Sequence, residues 1–296
     1  MASAGAVVAS ACAMAFASCG GPSFTNGSTD ASIEAATAMP EAGVAGDSAR
    51  FADTALPDTA SPGDGGASWC SGQGAHTFCE DFDEYTDVTA LLGAWSTFEQ
   101  TGGGSFTFDT VNAPSPPNAL EVMGPNGAQV LVIKTFPLAK QPAVLRLDFD
   151  LRINSSGSVG FLSAVGLAAI AFGSALSDGY AALTIGSGPT LSGEWTDTAD
   201  AGPSDAGAFK TSNATGAFPA GGVWAARYAI EVDYTSTGGC FQIYEGITAL
   251  LSPCLALPPH LLHPASVSIA LGAYAGGLQS TGVINVEFDN VTFDVQ

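Results

Sequence analysis

Positive charge is what this chain has least of. Seven Lys and Arg stand against 28 Asp and Glu, which leaves a formal net charge of −21 and a pI near 4.1. Binding to nucleic acid depends on Lys and Arg neutralising phosphates, so a nucleic-acid partner is excluded. Electrostatic docking on anionic lipid headgroups is disfavoured for the same reason. Charge of either sign is also sparse, at 12% of residues, and no segment shows a convincing amphipathic helical period. Histidine is limited to His76, His260 and His263. The last two fall in Pro258-Pro259-His260-Leu261-Leu262-His263-Pro264, a proline-bounded turn with no third ligand nearby, and read as loop residues. No Cys-x-x-Cys occurs, which disfavours a zinc ribbon or a redox pair. No Gly-x-Ser-x-Gly precedes a helix, so the nucleophile-elbow arrangement is missing. What the chain does have is 37 Gly and 17 Pro, the punctuation of a turn-rich β protein.

The N-terminus has an uncharged apolar run ending in Ala15-Phe16-Ala17-Ser18-Cys19-Gly20. It resembles the lipobox of bacterial lipoproteins, in which the signal is cut before the cysteine and the thiol is acylated. Residues 1–18 are then a signal peptide and Cys19 the lipidation site. The protein is placed outside the cytoplasm, on a bacterial and by expectation outer membrane, held through its lipid alone; the alternative is plain secretion. Met1-Ala2-Ser3 departs from the export pattern in carrying no Lys or Arg. Residues 19–68 are rich in Ala, Asp, Thr, Pro and Gly and almost without aromatics. Such a segment buries too little apolar surface to offset its ordering entropy and is expected to be a disordered acidic tether.

From Trp69 to Gln296 the character changes to that of one domain. Leu145, Leu147, Phe149, Leu151 and Ile153 alternate with Arg146, Asp148, Asp150 and Arg152, a half-buried antiparallel strand. Tyr228 to Tyr234 and Val267 to Ala273 repeat the alternation. Ser105–Thr110, Ala119–Met123, Gln129–Phe136, Ala181–Ile185 and Cys240–Tyr244 are further strands. Ile284, Val286 and Phe288 share one parity, but Val291, Phe293 and Val295 have the other, which predicts a bulge at Asp289-Asn290. Val159–Leu176 is uncharged and long enough to span a bilayer, yet its glycines and serines favour two buried strands joined near Gly166. Thr196–Gly222 repeats the tether's composition and reads as a long surface loop. Cys12 and Cys19 aside, Cys70, Cys79, Cys240 and Cys254 suit two disulfides of an exported chain. Three connectivities are possible, and the short loops favour Cys70–Cys79 with Cys240–Cys254.

Phe78-Cys79-Glu80-Asp81-Phe82-Asp83, then Trp95, Ser115-Pro116-Pro117-Asn118-Ala119-Leu120, Trp224 ahead of Ala229 to Tyr234, and the closing Phe288-Asp289-Asn290-Val291 resemble the concanavalin A-like lectin/glucanase jelly rolls, especially the laminin G-like domains of bacterial surface lipoproteins. The resemblance covers about 78–296. It implies an all-β, two-sheet antiparallel jelly-roll β-sandwich, often with a sugar-binding face and a structural calcium.

The candidate chemistry follows from that resemblance. Retaining glucanases of the fold place Glu-x-Asp-x-x-Glu on one strand, and retention needs two carboxyls about 5 Å apart. Glu231 and Asp233 match the first two positions, but Ser236 stands at the third and cannot protonate a leaving group. They are weak catalytic candidates, and alternation equally makes them the wet face of a strand. Calcium (Ca2+) wants six to eight oxygens; Asp81 and Asp83 near the first strand and Asp289 in the last are candidate ligands. Trp195, Tyr180 and Tyr244 are candidate sugar platforms, whereas Trp95 and Trp224 suit the core. The expected function is non-catalytic binding of a glycan or cell-surface protein by a monomer. The alternatives are a polysaccharide-active enzyme of the same fold and a purely structural or adhesive protein.

Metabolic labelling with a fatty-acid analogue tests the N-terminal reading: the wild type is expected to take the label and Cys19→Ala to lose it, and equal labelling of both overturns lipidation there.

Overall fold

The computed structural model describes residues 68–296, apart from 126–127, 160–164, 186–189, 198–207, 214–221, 225–226, 236–237 and 276–279. The expected signal peptide, Cys19 and nearly all of the tether lie outside the described residues. Among the described residues there are two short α-helices, α1 (Trp69–Gly72) and α2 (Val88–Ala94); Asp87 caps the second by accepting from the Ala90 amide. The strands are β1 (Phe78–Glu80), β2 (Thr97–Gln100), β3 (Ser105–Asp109), β4 (Ala119–Pro125), β5 (Val130–Pro137), β6 (Val144–Val159), β7 (Val165–Ala171) and β8 (Tyr180–Ile185). They continue with β9 (Leu191–Asp197), β10 (Ala208–Asn213), β11 (Tyr228–Asp233), β12 (Cys240–Glu245), β13 (Thr248–Ala249), β14 (Leu255–Ala256), β15 (Ser266–Ala275) and β16 (Ser280–Val295). No helix among the described residues is long and apolar enough to cross a membrane.

These strands form two antiparallel sheets. One runs β13-β12-β11-β6-β16-β4-β3, with β1 added to β16 and β14 to β12; the other runs β10-β9-β8-β7-β15-β5-β2. The alternation of β6 explains why the sheets stack. Leu145, Leu147, Phe149, Leu151 and Ile153 are all buried in the core between the sheets, and the intervening polar residues face outward. Tyr228, Ile230 and Val232 of β11, with Val267, Ile269 and Leu271 of β15, fill the same core. Burying such aliphatic and aromatic side chains contributes about 1.5–3 kcal/mol each.

The expected bulge is present. Asp289 of β16 stands opposite Asp150 of β6, and Thr292 opposite Asp148. Three steps on β16 thus answer two on β6, and Asn290 takes φ +52° to absorb the extra residue. Ile284, Val286 and Phe288 before it, and Val291 and Phe293 after it, are all buried. The bulge also marks a change of partner: β4 pairs with β16 over Val283–Phe288 and β1 over Val291–Phe293.

Three sequence expectations are corrected. Gly166 lies inside β7, not at a junction between strands; a Cβ there would sit 1.9 Å from Tyr274 Cζ, so the glycine admits that ring. Thr196–Gly222 is not one loop, because Ala208–Asn213 pairs with Asn213 opposite Ser192 through Ala208 opposite Asp197 of β9. Its Phe and Thr suit an edge strand despite the polar surroundings. Trp224 is half-buried at the surface, donating Nε1 to the Asn112 carbonyl, whereas Trp95 is in the core as expected. The four domain cysteines form Cys70–Cys79 and Cys240–Cys254.

Burial also sets a pH dependence. Desolvation is the chief cause that raises the Glu80 carboxyl to about 7 and Asp83 to about 6, from ordinary values of 4.5 and 3.8. The folded state therefore holds more protons than the unfolded one between about pH 4 and 7, and stability falls as pH rises through that window. Denaturant midpoints are expected to be higher at pH 5 than at pH 8. Glu80→Gln, which keeps an acceptor for the Phe82 amide, should flatten the dependence and stabilise at pH 8 by on the order of 2 kcal/mol. A rise in stability from pH 5 to 8 contradicts this.

Candidate functional site

Every residue of β7 is buried, on both parities. One parity, with Ala168 and Ile170, belongs to the core between the sheets; the other, with Ala169 and Ala171, belongs to a second cluster. Successive strand residues point to opposite faces, so the second cluster lies on the outer face of the seven-stranded sheet. Its members are Leu131, Ile133, Ala169, Ala171, Tyr180, Ala182, Ala270 and Tyr274, with Leu176 packed against them. The middle of the floor is small: Ala182 of β8 pairs with Ala169 of β7, and Ala169 with Ala270 of β15.

The two tyrosines stand over this floor. Their rings meet edge to face, with centroids 5.5 Å apart and planes at 89°. A bulge between Leu271 and Tyr274 sets Tyr274 opposite Gly166, whose missing side chain admits the ring. Tyr180 Oη donates to Glu194 Oε1 at 3.0 Å, and Thr196 Oγ1 donates to the same oxygen at 3.3 Å. Neither uses Oε2. Register explains the convergence, since Tyr180 pairs with Thr196 and Ala182 with Glu194. Thr184 stands opposite Ser192, donating to its carbonyl at 3.2 Å. Tyr274 Oη is buried without a well-formed hydrogen bond, although its hydroxyl interacts with that of Tyr180. A buried hydroxyl left so costs about 1–3 kcal/mol. Burial pushes the Glu194 carboxyl up, as it does both phenols. The phenols therefore stay protonated donors and Glu194 is the acceptor among them.

The sequence candidates are scattered relative to this face. Tyr180 is on it. Trp195, expected as a platform, is 9% exposed and packs into the core between the sheets; the alternation of β9 sends Trp195 inward and its neighbour Glu194 outward. Glu194 and Tyr274 were missed. The period-2 pattern around Trp195 pointed to the first, but nothing local marks Tyr274, whose place depends on Gly166, far away in the chain.

Tyr244, Glu231 and Asp233 lie on the other sheet. Arg146 donates to Glu231 Oε2 at 2.8 Å and to Asp148 at 2.9 Å, with its guanidinium 5.2 Å from the Tyr244 ring centroid. Tyr244 Oη donates to Glu231 Oε1 at 3.2 Å. Both Glu231 oxygens are thus committed, and Asp233 accepts from Thr235. Glu231 is built into a cross-strand ladder and Asp233 into the turn that follows β11.

The acidic residues near the terminal strands turn onto the chain's own donors. Asp289 accepts from the Ser115 amide and hydroxyl and from the Asn290 amide, at 3.0, 2.9 and 2.8 Å. Asp81 accepts from the Ser68 hydroxyl and the Cys70 amide, and Asp83 from the Asn118 amide. Among the described residues no group of three or more His, Cys, Asp or Glu is placed to hold a metal ion. This arrangement does not fit a calcium centre.

No protein-family model and no curated protein sequence matches this chain. Solved structures do resemble it. An endo-β-1,4-glucuronan lyase from the fungus Trichoderma reesei superposes with a TM-score of 0.52 at 12% identity, covering 75% of this chain and 96% of that one. The alginate lyase vAL-1 from a Chlorella virus superposes with a TM-score of 0.50 at 10% identity, covering 75% and 100%. At such identities the likeness shows the fold alone: a jelly-roll β-sandwich, consistent with the concanavalin A-like class.

The seat of Tyr274 can be checked by Gly166→Ala, whose methyl would overlap the ring. Thermal unfolding is expected to show a loss of about 1–3 kcal/mol; an unchanged midpoint means the ring does not lie over Gly166.

Proposed function

We propose that this protein binds a polysaccharide on the outer face of its seven-stranded sheet and does not cleave it, as an extracytoplasmic domain carried on a lipid anchor at Cys19. The observation that carries the binding reading is the Tyr274 hydroxyl, buried without a proper partner beside Tyr180, Glu194 and Thr196. A sugar hydroxyl supplies the missing partner, and phenyl rings over an alanine floor suit the CH faces of sugars. The two disulfides and the lack of a membrane-length helix among the described residues fit an extracellular location.

The enzyme reading has support in the fold, since the two similar structures are polysaccharide lyases by name. Against a retaining hydrolase, the acids of this face are not a pair: Glu194 stands on β9 and Glu99 on β2, towards opposite ends of the sheet. Retaining hydrolysis needs two carboxyls about 5 Å apart, and on the other sheet Glu231 is held by Arg146 and Tyr244 while Asp233 accepts from Thr235.

A panel of immobilised polysaccharides, assayed for retention and for released sugar, separates the readings. Retention without release is expected. Tyr274→Phe should weaken retention about fivefold to tenfold, while leaving the unfolding midpoint unchanged or higher because an orphaned buried hydroxyl is removed. Release of reducing or unsaturated ends in proportion to protein replaces binding with catalysis, and retention on no polymer overturns both.

A further inference from the structure

The charge around this face narrows its ligand further, an inference that rests on the polysaccharide reading above. Of the seven Lys and Arg, Arg50 lies outside the described residues. Arg146 is held by Asp148 and Glu231, Arg152 by Asp109 and Glu287, and Arg227 by Asp150, the Asn290 carbonyl and the Trp69 ring, all on the nine-stranded sheet. Lys134 has the parity of β5 opposite to Leu131 and Ile133, donates to the Ala94 carbonyl and lies over the Phe78 ring. Lys140 is exposed in the β5–β6 connection. In β10, Lys210 is in register with core-facing Trp195, whereas Thr211 is in register with Glu194. The tyrosine face thus has a carboxylate on its β9 side, a second acid, Glu99, in register with Leu131 on its β2 side, and no Lys or Arg in register with its described residues, on a molecule of net charge −21.

We propose that the ligand of this face is a neutral polysaccharide, and that polymers of uronic acid are rejected by charge. The argument is one of complementarity. Glu194 offers Oε2 to a hydroxyl, and Tyr274 offers a proton to a hydroxyl or ring oxygen. A uronate carboxylate brought beside Glu194 meets like charge in a half-buried, low-dielectric setting, where Coulomb repulsion is several times its strength in water. Among the described residues no guanidinium is placed on this face to make the bidentate contact that carboxylates favour. The two similar structures are named as lyases of glucuronan and alginate; this chain shares their fold, and at 12% and 10% identity their ligands do not carry over to it.

The test uses oligosaccharide pairs matched in linkage and length: β-1,4-glucan against β-1,4-glucuronan, and β-1,4-mannan against β-1,4-mannuronan. Affinities are measured by titration calorimetry on the folded domain at low and at moderate salt. In at least one pair the neutral member should bind about tenfold more tightly at low salt, a ratio equivalent to about 1.4 kcal/mol. Moderate salt should narrow the ratio by screening, and Glu194→Gln should narrow it by removing the charge while keeping an acceptor. Equal or tighter binding of the uronate member overturns the charge rule and leaves polysaccharide binding standing. A neutral preference that neither salt nor Glu194→Gln alters overturns it as well, since shape and not charge would then discriminate. Binding of no oligosaccharide in either pair, together with retention on no polymer in the panel, overturns the polysaccharide reading itself.

Discussion

β16 is paired along both edges for most of its length, and that places one demand on everything around it. Against β6 it must keep an apolar side chain turned to the core at alternate positions from Ile284 to Phe293. A sixteen-residue strand without a bulge cannot do so with this sequence, because the parity of its apolar residues changes at Asp289-Asn290. The bulge solves the phase problem, but it leaves backbone groups out of the ladder, and those must be satisfied. Arg227 donates to the Asn290 carbonyl, the Asn290 backbone amide donates to Asp289 at 2.8 Å, and the Asn290 side-chain Nδ2 donates to Asp150 at 2.7 Å. Asp289 accepts from Ser115 and so ties down the turn that leads into β4. The opening segment is pinned at the same place, as the Asn118 side chain donates to the carbonyls of Phe82 and Tyr85.

That junction explains what the most distinctive short motifs are for. Phe78-Cys79-Glu80-Asp81-Phe82-Asp83, Ser115-Pro116-Pro117-Asn118 and Phe288-Asp289-Asn290-Val291 are far apart in sequence and converge on one corner. Their carboxylates are spent on the chain's own amides and hydroxyls, and burial makes protonation of Glu80, Asp83 and Asp289 more favourable. They are architecture. The candidate binding face lies on the other sheet and borrows nothing from them directly.

The two sheet exteriors differ in a way that matters for function. On the nine-stranded sheet, arginines and acids pair across strands and stack on Tyr244 and Trp69. On the seven-stranded sheet, the outward positions of the central strands are alanines, tyrosines, Leu131 and Ile133, with Glu194 on β9 to one side and Glu99 on β2 to the other. The Tyr274 hydroxyl is left without a well-formed partner there, as Asn290 Oδ1 is at the bulge of the other sheet; what sets the tyrosine apart is its place beside a carboxylate oxygen that accepts from neither Tyr180 nor Thr196.

Much of the architecture was legible in the chain itself. Period-2 alternation marked β6, β11 and β15, because a half-buried antiparallel strand writes its two faces into adjacent residues. The parity slip located the bulge, and short loop spans favoured the disulfide pairing that the structure contains. Where local composition misled, tertiary pairing was the cause: Ala208–Asn213 became a strand because β9 offered it an edge. The same holds for the site. Trp195 looked like a platform by its chemistry, but which parity of a strand faces the core depends on the sheet packed against it. Only the fold could send Trp195 inward and Glu194 outward, and only the fold could set Tyr274 over Gly166, since that contact joins strands β15 and β7 across a hundred residues of intervening chain by a register no local pattern records.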